Sequence, residues 1–489
     1  MKYDIIIAGG GLGGLACGYI LSKQGYNVCI LEKNADTGGC LQSFRRGKYS
    51  FDTGFHCVGG LEEGQPLYRI FKYFDLMNLP WRKMDENGFA EIVINSKSYM
   101  FASGHERFVE TLSKDFPAQR KNLEKYASLL KNVGDNIYDN FGPDTPTLSE
   151  KAEKEFGVSA FQFLQQITDD NLLRNVLSGA SLTMELNSEK LPLYVFAQIN
   201  NSFIQSAWRL AGNGSLIAEK LAENIRKTGG TILTKAKVTR FIETDGKITS
   251  VEINGNEQFC SDYVISNIHP AVTLDLIKES KCIRKIYRTR IAALPDTFGM
   301  FTAHLKLKAG SIPYFNRNIF VYGNSDVWKS HRYEPGCADK PILITCYIPR
   351  SGNFTENIDI LTPMYFEEVA RWSNTAVGRR GDDYKAFKQT QAEKCIAIAE
   401  KHIAGLRQSI EHIYASTPLT YRDYTGTRNG SAYGIQKDFD NLLYTMLAPQ
   451  TPVQNLFLTG QNLNLHGITG VSITAITTCA KISNRYVNI

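Results

Sequence analysis

The residues of this chain whose types and spacing point to chemistry are three glycine patterns, one carboxylate and two histidines. Gly9-x-Gly11-x-x-Gly14 follows an aliphatic run, "DIIIA", and Glu32 stands 32 − 14 = 18 residues further on. In such a pattern Gly9 permits a tight turn, Gly11 lets backbone approach a pyrophosphate, and Gly14 lets a helix pack closely on a strand. The helix start then offers free N–H groups and a positive dipole end to phosphates, and a carboxylate at position 32 can accept from ribose hydroxyls. Glycines alone would be weak evidence, but strand, helix and acid together favour a dinucleotide site over the alternative, a turn that only packs. Gly38 and Gly39 follow in "DTGGC", removing side chains where backbone could run near a ligand. By spacing alone, that role and an ordinary turn are equally good readings. "FDTGFH" (51–56) comes next and ends on His56, a candidate proton donor or substrate polariser whose alternative is a satisfied buried histidine. His466 lies in "LNLHGITGV" and Tyr433 in "YTGTRNGSAYG", both as candidates for the chemistry.

Other chemistries lack their residues. The ten cysteines include no C-x-x-C pair, which leaves neither a zinc site nor a redox dithiol signalled. Reduced thiols in a cytoplasmic protein are expected. No Ser-His-Asp triad, metal cluster or Walker loop emerges from the spacing. The formal charge, 55 − 49 = +6, is too mild for a dedicated nucleic-acid binder. No window reaches the roughly 18 apolar residues of a membrane span, so a soluble or peripherally attached protein is expected. Lys281, Arg284, Lys285 and Arg288 fall at helical spacing and would make either a solvated face or a membrane-docking stripe.

The elements that must position these residues are legible from periodicity. Residues 3–8 read as a strand buried on both faces, 15–24 as a helix and 27–32 as a second strand, a βαβ opening. Residues 101–210 read as mainly helical, and "LPLYVFAQINNSFIQSAW" (191–208), with Tyr194, Phe196, Phe203 and Trp208, as core or the wall of an apolar tunnel. An amphipathic helix follows (about 213–228), then strands joined by Asp245-Gly246 and Asn254-Gly255 turns, which are hairpin signals. Residues 298–348 suggest a second sheet. Two helices, about 363–375 and 383–405, precede a strand and the closing strand–loop–helix unit. The expected division is 1–100, 211–280 and 421–489 for one nucleotide-binding domain, interrupted by a helical region at 101–210 and a substrate domain at 281–420.

"DIIIAGGGLGGLACGYILSKQGYNVCILEKNADTGGC" with "FDTGFHCVGG", "GNGSLIAEKLAENIRKTGGTILTKAKV" and "NLFLTGQNLNLHGITGV" resembles, in order and over nearly the whole chain, the FAD-dependent phytoene desaturase, carotenoid isomerase and retinol saturase superfamily. The retinol saturase-like branch is the most similar. The resemblance implies an α/β fold: a Rossmann-like FAD-binding domain of glutathione-reductase/amine-oxidase type with an inserted α+β substrate domain. It implies that Gly9, Gly11, Leu12, Gly13 and Gly14 hold the FAD pyrophosphate, and Glu32 and Lys33 the adenosine ribose. Gly38, Gly39 and Cys40 would approach the flavin, and Val238 the adenine. Gly460 and Gln461 would meet the ribityl-pyrophosphate, with Gly470 and Val471 at the isoalloxazine, where a helix start stabilises reduced flavin. His466 would lie at the flavin edge, as catalyst or as hydrogen-bond partner. Two positions depart from the pattern: Gln461, where many such flavoproteins carry an acid, and Leu465-His466-Gly467, where desaturases are richer in proline and glycine. The activity implied is oxidoreduction at carbon–carbon double bonds of an apolar polyene or isoprenoid, saturation first. Desaturation, cis–trans isomerisation and, more distantly, amine oxidation are the alternatives. A prenyl-lipid-binding chaperone of the same fold is the non-enzyme alternative. No second G-x-G-x-x-G in strand–helix context occurs, so an external electron donor or acceptor is expected.

Overall fold

The computed structural model describes residues 2–136, 154, 157–323, 326–329, 340–485 and 487. Strand Lys2–Ala8 runs into the glycine turn and helix Leu12–Lys23, and Val28–Leu31 returns parallel beside the first strand. All four residues of Val28–Leu31 are buried, as befits a parallel strand covered on both faces. Segments distant in sequence complete this sheet. Thr231–Leu233 pairs parallel with Val28–Leu31, Glu257–Ser266 pairs parallel with Lys2–Ala8, and Leu456–Leu458 pairs parallel with the end of Glu257–Ser266. The hairpin Val238–Thr244/Lys247–Ile253 is appended antiparallel to the other half of Glu257–Ser266. Asp245 and Gly246 (φ 49° and 81°) both take the left-handed conformation that a primed hairpin turn demands, so the Asp-Gly signal was a true one.

The second sheet has seven strands in the order Ile410–Ser416, Gly299–Leu307, Asn357–Met364, Ile342–Cys346, Asn318–Tyr322, Ala90–Ile94, Lys97–Phe101. The last two lie within the expected N-terminal nucleotide-binding segment 1–100, yet they extend this sheet, Ala90–Ile94 joining Asn318–Tyr322 in parallel. Alternation gives the sheet two apolar faces. Ile319, Val321, Ile342, Ile344 and Ile360 pack beneath helix Gly381–Ala399, while Phe320, Leu343 and Leu361 point the other way, toward a cavity. Five helices follow, His105–Asp115, Arg120–Asp135, Ala160–Ile167, Asn171–Ser178 and Leu193–Gln205, of which Arg120–Asp135 and Leu193–Gln205 contribute to the wall of that cavity. The helix expected near 363–375 is instead two 3₁₀ turns, Phe366–Glu368 and Ala370–Trp372, because strand Asn357–Met364 uses the segment's start. The helix expected through "AQRKNLEKYASLLKNVGDNIYDNF" ends at Asp135, and residues 137–141 of that stretch lie outside the described residues.

The basic stripe is not one helix face. A helix begins only at Lys285 and runs to Ala293, leaving Lys281 and Arg284 before it. Arg288 donates instead to the Leu274 and Ile277 carbonyls, which ties this helix to its neighbour. Among the described residues no helix is long and apolar enough to cross a membrane.

Candidate functional site

Two long helices begin without side-chain caps and aim their starts at one cavity of about 580 Å³. Helix Leu12–Lys23 opens from Gly11, and helix Gly467–Ser483 opens from His466; neither has an acidic residue in its first turn. Their first N–H groups have no intrahelical acceptor, which suits a phosphate at one helix and developing negative charge at the other.

Between the two starts lies a cradle of bare backbone. At Gly14 a Cβ would stand 2.0 Å from the Gly9 carbonyl oxygen, so this glycine serves packing and does not itself reach the cavity. Gly9, Gly11, Leu12 and Gly13 do line it. Gly38, at φ 126°, takes a backbone conformation closed to other residues, and Gly11 and Gly38 form a parallel bridge. Gly39 and Cys40 continue the wall. Burial pushes the Cys40 thiol up to about 11, so it stays neutral. Glu32, Lys33, Val238, Gly460, Gln461, Gly470 and Val471 also line the cavity, and Gly460 packs against Gly13, its Cα 3.1 Å from where a Cβ on Gly13 would sit.

The Glu32 carboxylate is buried and accepts from Gly10 N and Asn34 N, each at 2.8 Å. It fastens the phosphate turn to the second strand, and its remaining lone pairs face the cavity. Lys33 is held by the Asp423 carbonyl at 2.9 Å, and burial lowers its pKa. Two residues that the sequence reading passed over complete the cradle. Asn267 ends strand Glu257–Ser266 and lies between the turns: its Oδ1 is 2.7 Å from where a Cβ on Gly13 would sit and 2.5 Å from one on Gly460. A polar residue directly after a buried strand was the available signal. Lys437 is fully buried and donates to the Thr445, Asn462 and Leu463 carbonyls at 2.8, 2.8 and 3.0 Å, which shapes the loop leading to His466.

"FDTGFH" is anchored from below. Burial raises Asp52 to about 8, opposed by its bonds from Gly214 N (2.9 Å) and Asn213 Nδ2 (3.3 Å). Its own N–H donates to Tyr347 Oη, which donates to Asp359 at 2.8 Å; Asp359 bonds His304 at 2.8 Å, and His304 bonds Ser416 Oγ at 3.0 Å. A Ser-His-Asp arrangement therefore exists across three adjacent strands, where no sequence spacing announced it. It lies under the rings of Phe44 and Phe51, and none of its members lines the cavity, so it supports the turn and attacks no substrate.

Above this support, His56, Tyr433 and His466 all reach the cavity. Burial lowers both histidines to about 4, so each ring is neutral with one N–H. His466 spends its Nε2–H on the Thr183 carbonyl at 3.2 Å, and its ring lies 4.9 Å from that of Tyr433. His56 makes no hydrogen bond among the described residues, and neither does the Tyr433 hydroxyl. Burial raises the Tyr433 pKa, which keeps its proton in place. Beyond these groups the cavity is walled by Phe89, Met300, Phe320, Leu343 and Leu361. Of the aromatics expected along an apolar tunnel, Phe203 lines the cavity, Tyr194 and Phe196 are in the core, and Trp208 is half-buried in strand Ala207–Leu210.

The two uncapped helix starts, the side-chain-free cradle and the buried acid suit a dinucleotide that ends beside His56, Tyr433 and His466.

Comparison with known proteins agrees with that geometry. Residues 7–74 match the NAD(P)-binding Rossmann-like domain model. The all-trans-retinol 13,14-reductase of Danio rerio is 26% identical, over 99% of this chain and 86% of its own length. A chloroplastic prolycopene isomerase of an Oncidium hybrid is 21% identical, over 94% of this chain and 80% of its own. In fold, the cyclohexylamine oxidase of Brevibacterium oxydans superposes with a TM-score of 0.63 at 14% identity, covering 99% of this chain and 100% of that one. Over nearly its whole length the chain is thus similar to retinol 13,14-reductases and prolycopene isomerases, and its α/β fold is that of cyclohexylamine oxidase.

Proposed function

We propose that the protein is an FAD-dependent oxidoreductase that reduces a carbon–carbon double bond in an apolar, isoprenoid-derived polyene. The observation that carries this reading is the continuity of one cavity, from glycine cradle to apolar chamber. A bound flavin would exchange hydride with carbon, and the chain supplies the rest. Gly9, Gly11, Leu12, Gly13, Gly460 and Gln461 hold the pyrophosphate and ribityl stretch, Glu32 the ribose, and Gly38, Gly39, Gly470 and Val471 the ring system. The apolar wall orients the polyene and excludes water. The Tyr433 hydroxyl, un-ionised and bonded to none of the described residues, holds the proton that accompanies hydride to the second carbon, and His56 is the other group there that bonds none of them. Electrons come from a diffusing reductant.

A second reading, cis–trans isomerisation of a carotenoid, is favoured by the prolycopene isomerase relatives. The purified protein is expected to be yellow. Anaerobic incubation with reductant and a panel of retinoids and carotenoids is expected to bleach a retinoid as one double bond leaves conjugation. A spectral shift without loss of a double bond would select isomerisation. Colourless protein would refute the cofactor, and unchanged spectra across the panel the substrate class.

A further inference from the structure

Behind Tyr433 and His466 lies a second, smaller space of about 20 Å³, room for about one water. Tyr433, His466 and Gln461 line both this space and the large cavity, so they form the partition between the two. Glu185, Gln436 and Lys437 bound the small space and do not line the large cavity. Lys190, whose side chain is 37% exposed, also bounds it, so the space stands between the partition and an edge that meets solvent. Glu185 accepts from Phe298 N at 3.1 Å and from Gln436 Nε2 at 2.8 Å, one bond to each oxygen. Among the described residues it donates to none.

Burial outweighs those two bonds and raises Glu185 to about 7, so near neutral pH it carries an acid proton. A protonated carboxyl is a donor as well as an acceptor, and the small space it lines has room for a water to take that proton. The other titratable groups around the space have theirs committed. Lys437 spends its three N–H groups on carbonyls, Lys190 is paired with Asp438 at 2.8 Å, and His466 donates its one N–H to the Thr183 carbonyl. Burial first, and then the Glu185 charge, keep the Tyr365 phenol un-ionised. Once Tyr433 has given its proton to the substrate carbon, a phenolate stands in the partition and must be restored before the next turnover. We propose that Glu185 restores it through one water in the small space: the Glu185 O–H breaks, a proton passes along the water, the Tyr433 O–H re-forms, and Glu185 regains a proton from solvent at the Lys190 edge. The transfer runs downhill, because burial holds the Tyr433 phenol far above the Glu185 carboxyl. No electrons move in it; one solvent proton is consumed per double bond reduced, and the electron pair is that of the diffusing reductant. This route rests on the reduction proposed above and adds to it the source of the proton.

The test is anaerobic turnover by the flavoprotein carrying Glu185→Gln, with a polyene that the unaltered protein reduces. Tyr433 starts protonated, so the first turnover is expected to stay within about twofold of the unaltered rate while later ones slow by about tenfold or more. The steady-state rate of the unaltered protein is expected to fall as pH rises through about 7, where Glu185 loses its proton, and Glu185→Gln should remove that inflection. Val195→Leu, which puts a methylene into the small space and leaves the Glu185 bonds in place, is expected to give the same split between first and later turnovers. In flavin-free protein, infrared difference titration is expected to show a protonated carboxyl band with its midpoint at about 7 that Glu185→Gln removes. Equal slowing of first and later turnovers, unaffected rates in both variants, or absence of that band would overturn the route and leave Glu185 an acid that only ties its loop, while reduction by the unaltered protein stands. No turnover of any polyene by the unaltered protein would overturn the reduction itself, and the route with it.

Discussion

Glu32 has two tasks in this structure, and substitution separates them. Its two oxygens each accept a buried backbone N–H, from Gly10 and from Asn34, and the same carboxylate faces the cavity where a ribose would lie. A hydrogen bond to a charged group contributes about 1.5–3 kcal/mol. Glu32→Ala removes two, and because they share one carboxylate and water can reach Asn34, we take about 3 kcal/mol rather than the full sum. At about 2 cal/mol/K per residue over a chain of this size, that lowers the melting temperature of the flavin-free protein by about 3 °C. Loss of one charged contact to ribose should weaken flavin binding by a further 10- to 100-fold or so. Glu32→Gln should fall between, since its oxygen can serve Gly10 while its amide nitrogen confronts the Asn34 N–H. Differential scanning fluorimetry of flavin-free protein reads the first effect, and flavin titration the second. An unchanged melting temperature would refute the backbone ties. A lowered melting temperature with undiminished flavin affinity would refute the ribose contact and leave Glu32 a purely structural acid.

Two further outcomes follow from the groups beneath and above the flavin-facing turn. Tyr433→Phe is expected to leave flavin content and polyene binding unchanged and to slow turnover by about 10²-fold or more, the usual worth of a positioned proton donor; single-turnover kinetics with a bound retinoid would check it, and an unaffected rate would leave Tyr433 a wall residue. Asp52 has its folded pKa raised, from 3.8 to about 8, mainly by burial. A raised acid holds its proton in the fold, so its contribution is full below the unfolded value and is lost as pH climbs to about 8, with a slope of at most about 1.4 kcal/mol per pH unit. Asp52→Asn should flatten that decline, which chemical denaturation across the window would measure, and an unaltered slope would show that Asp52 is ionised in the native turn.

What could be read in the sequence was local chemistry, and what could not was assembly. The turn at Gly9–Gly14, the acid at 32 and the two hairpin turns each depend on residues within about thirty positions, and their conformations are dictated by which residues tolerate them. Asn267 and Lys437 carry no such local mark. Asn267 matters because strand Glu257–Ser266 docks beside Lys2–Ala8 and brings its end between Gly13 and Gly460. Lys437 matters because the carbonyls of residues 445, 462 and 463 converge on it. The Ser416–His304–Asp359 relay shows the converse. Three residues arranged as in a hydrolase met only in the folded sheet, and accessibility rather than composition decides that they do no chemistry.

Helix Leu193–Gln205 marks where periodicity stops being informative. Tyr194 and Phe196 lie in the core while Phe203 lines the cavity beside Gln198, Asn201 and Gln205, and a 3.6-residue period reports that there are two environments without saying which is the core. Aromatic residues near a hydrophobic ligand invite the assignment of the aromatic face to the ligand. Energetics decide otherwise. Tyr194 and Phe196 gain most from the densely packed interior, where dispersion and burial are complete. Asn200 also faces that interior and keeps its hydrogen bonds, to Ser181 Oγ and the Phe196 carbonyl, because protein groups there are placed to meet it.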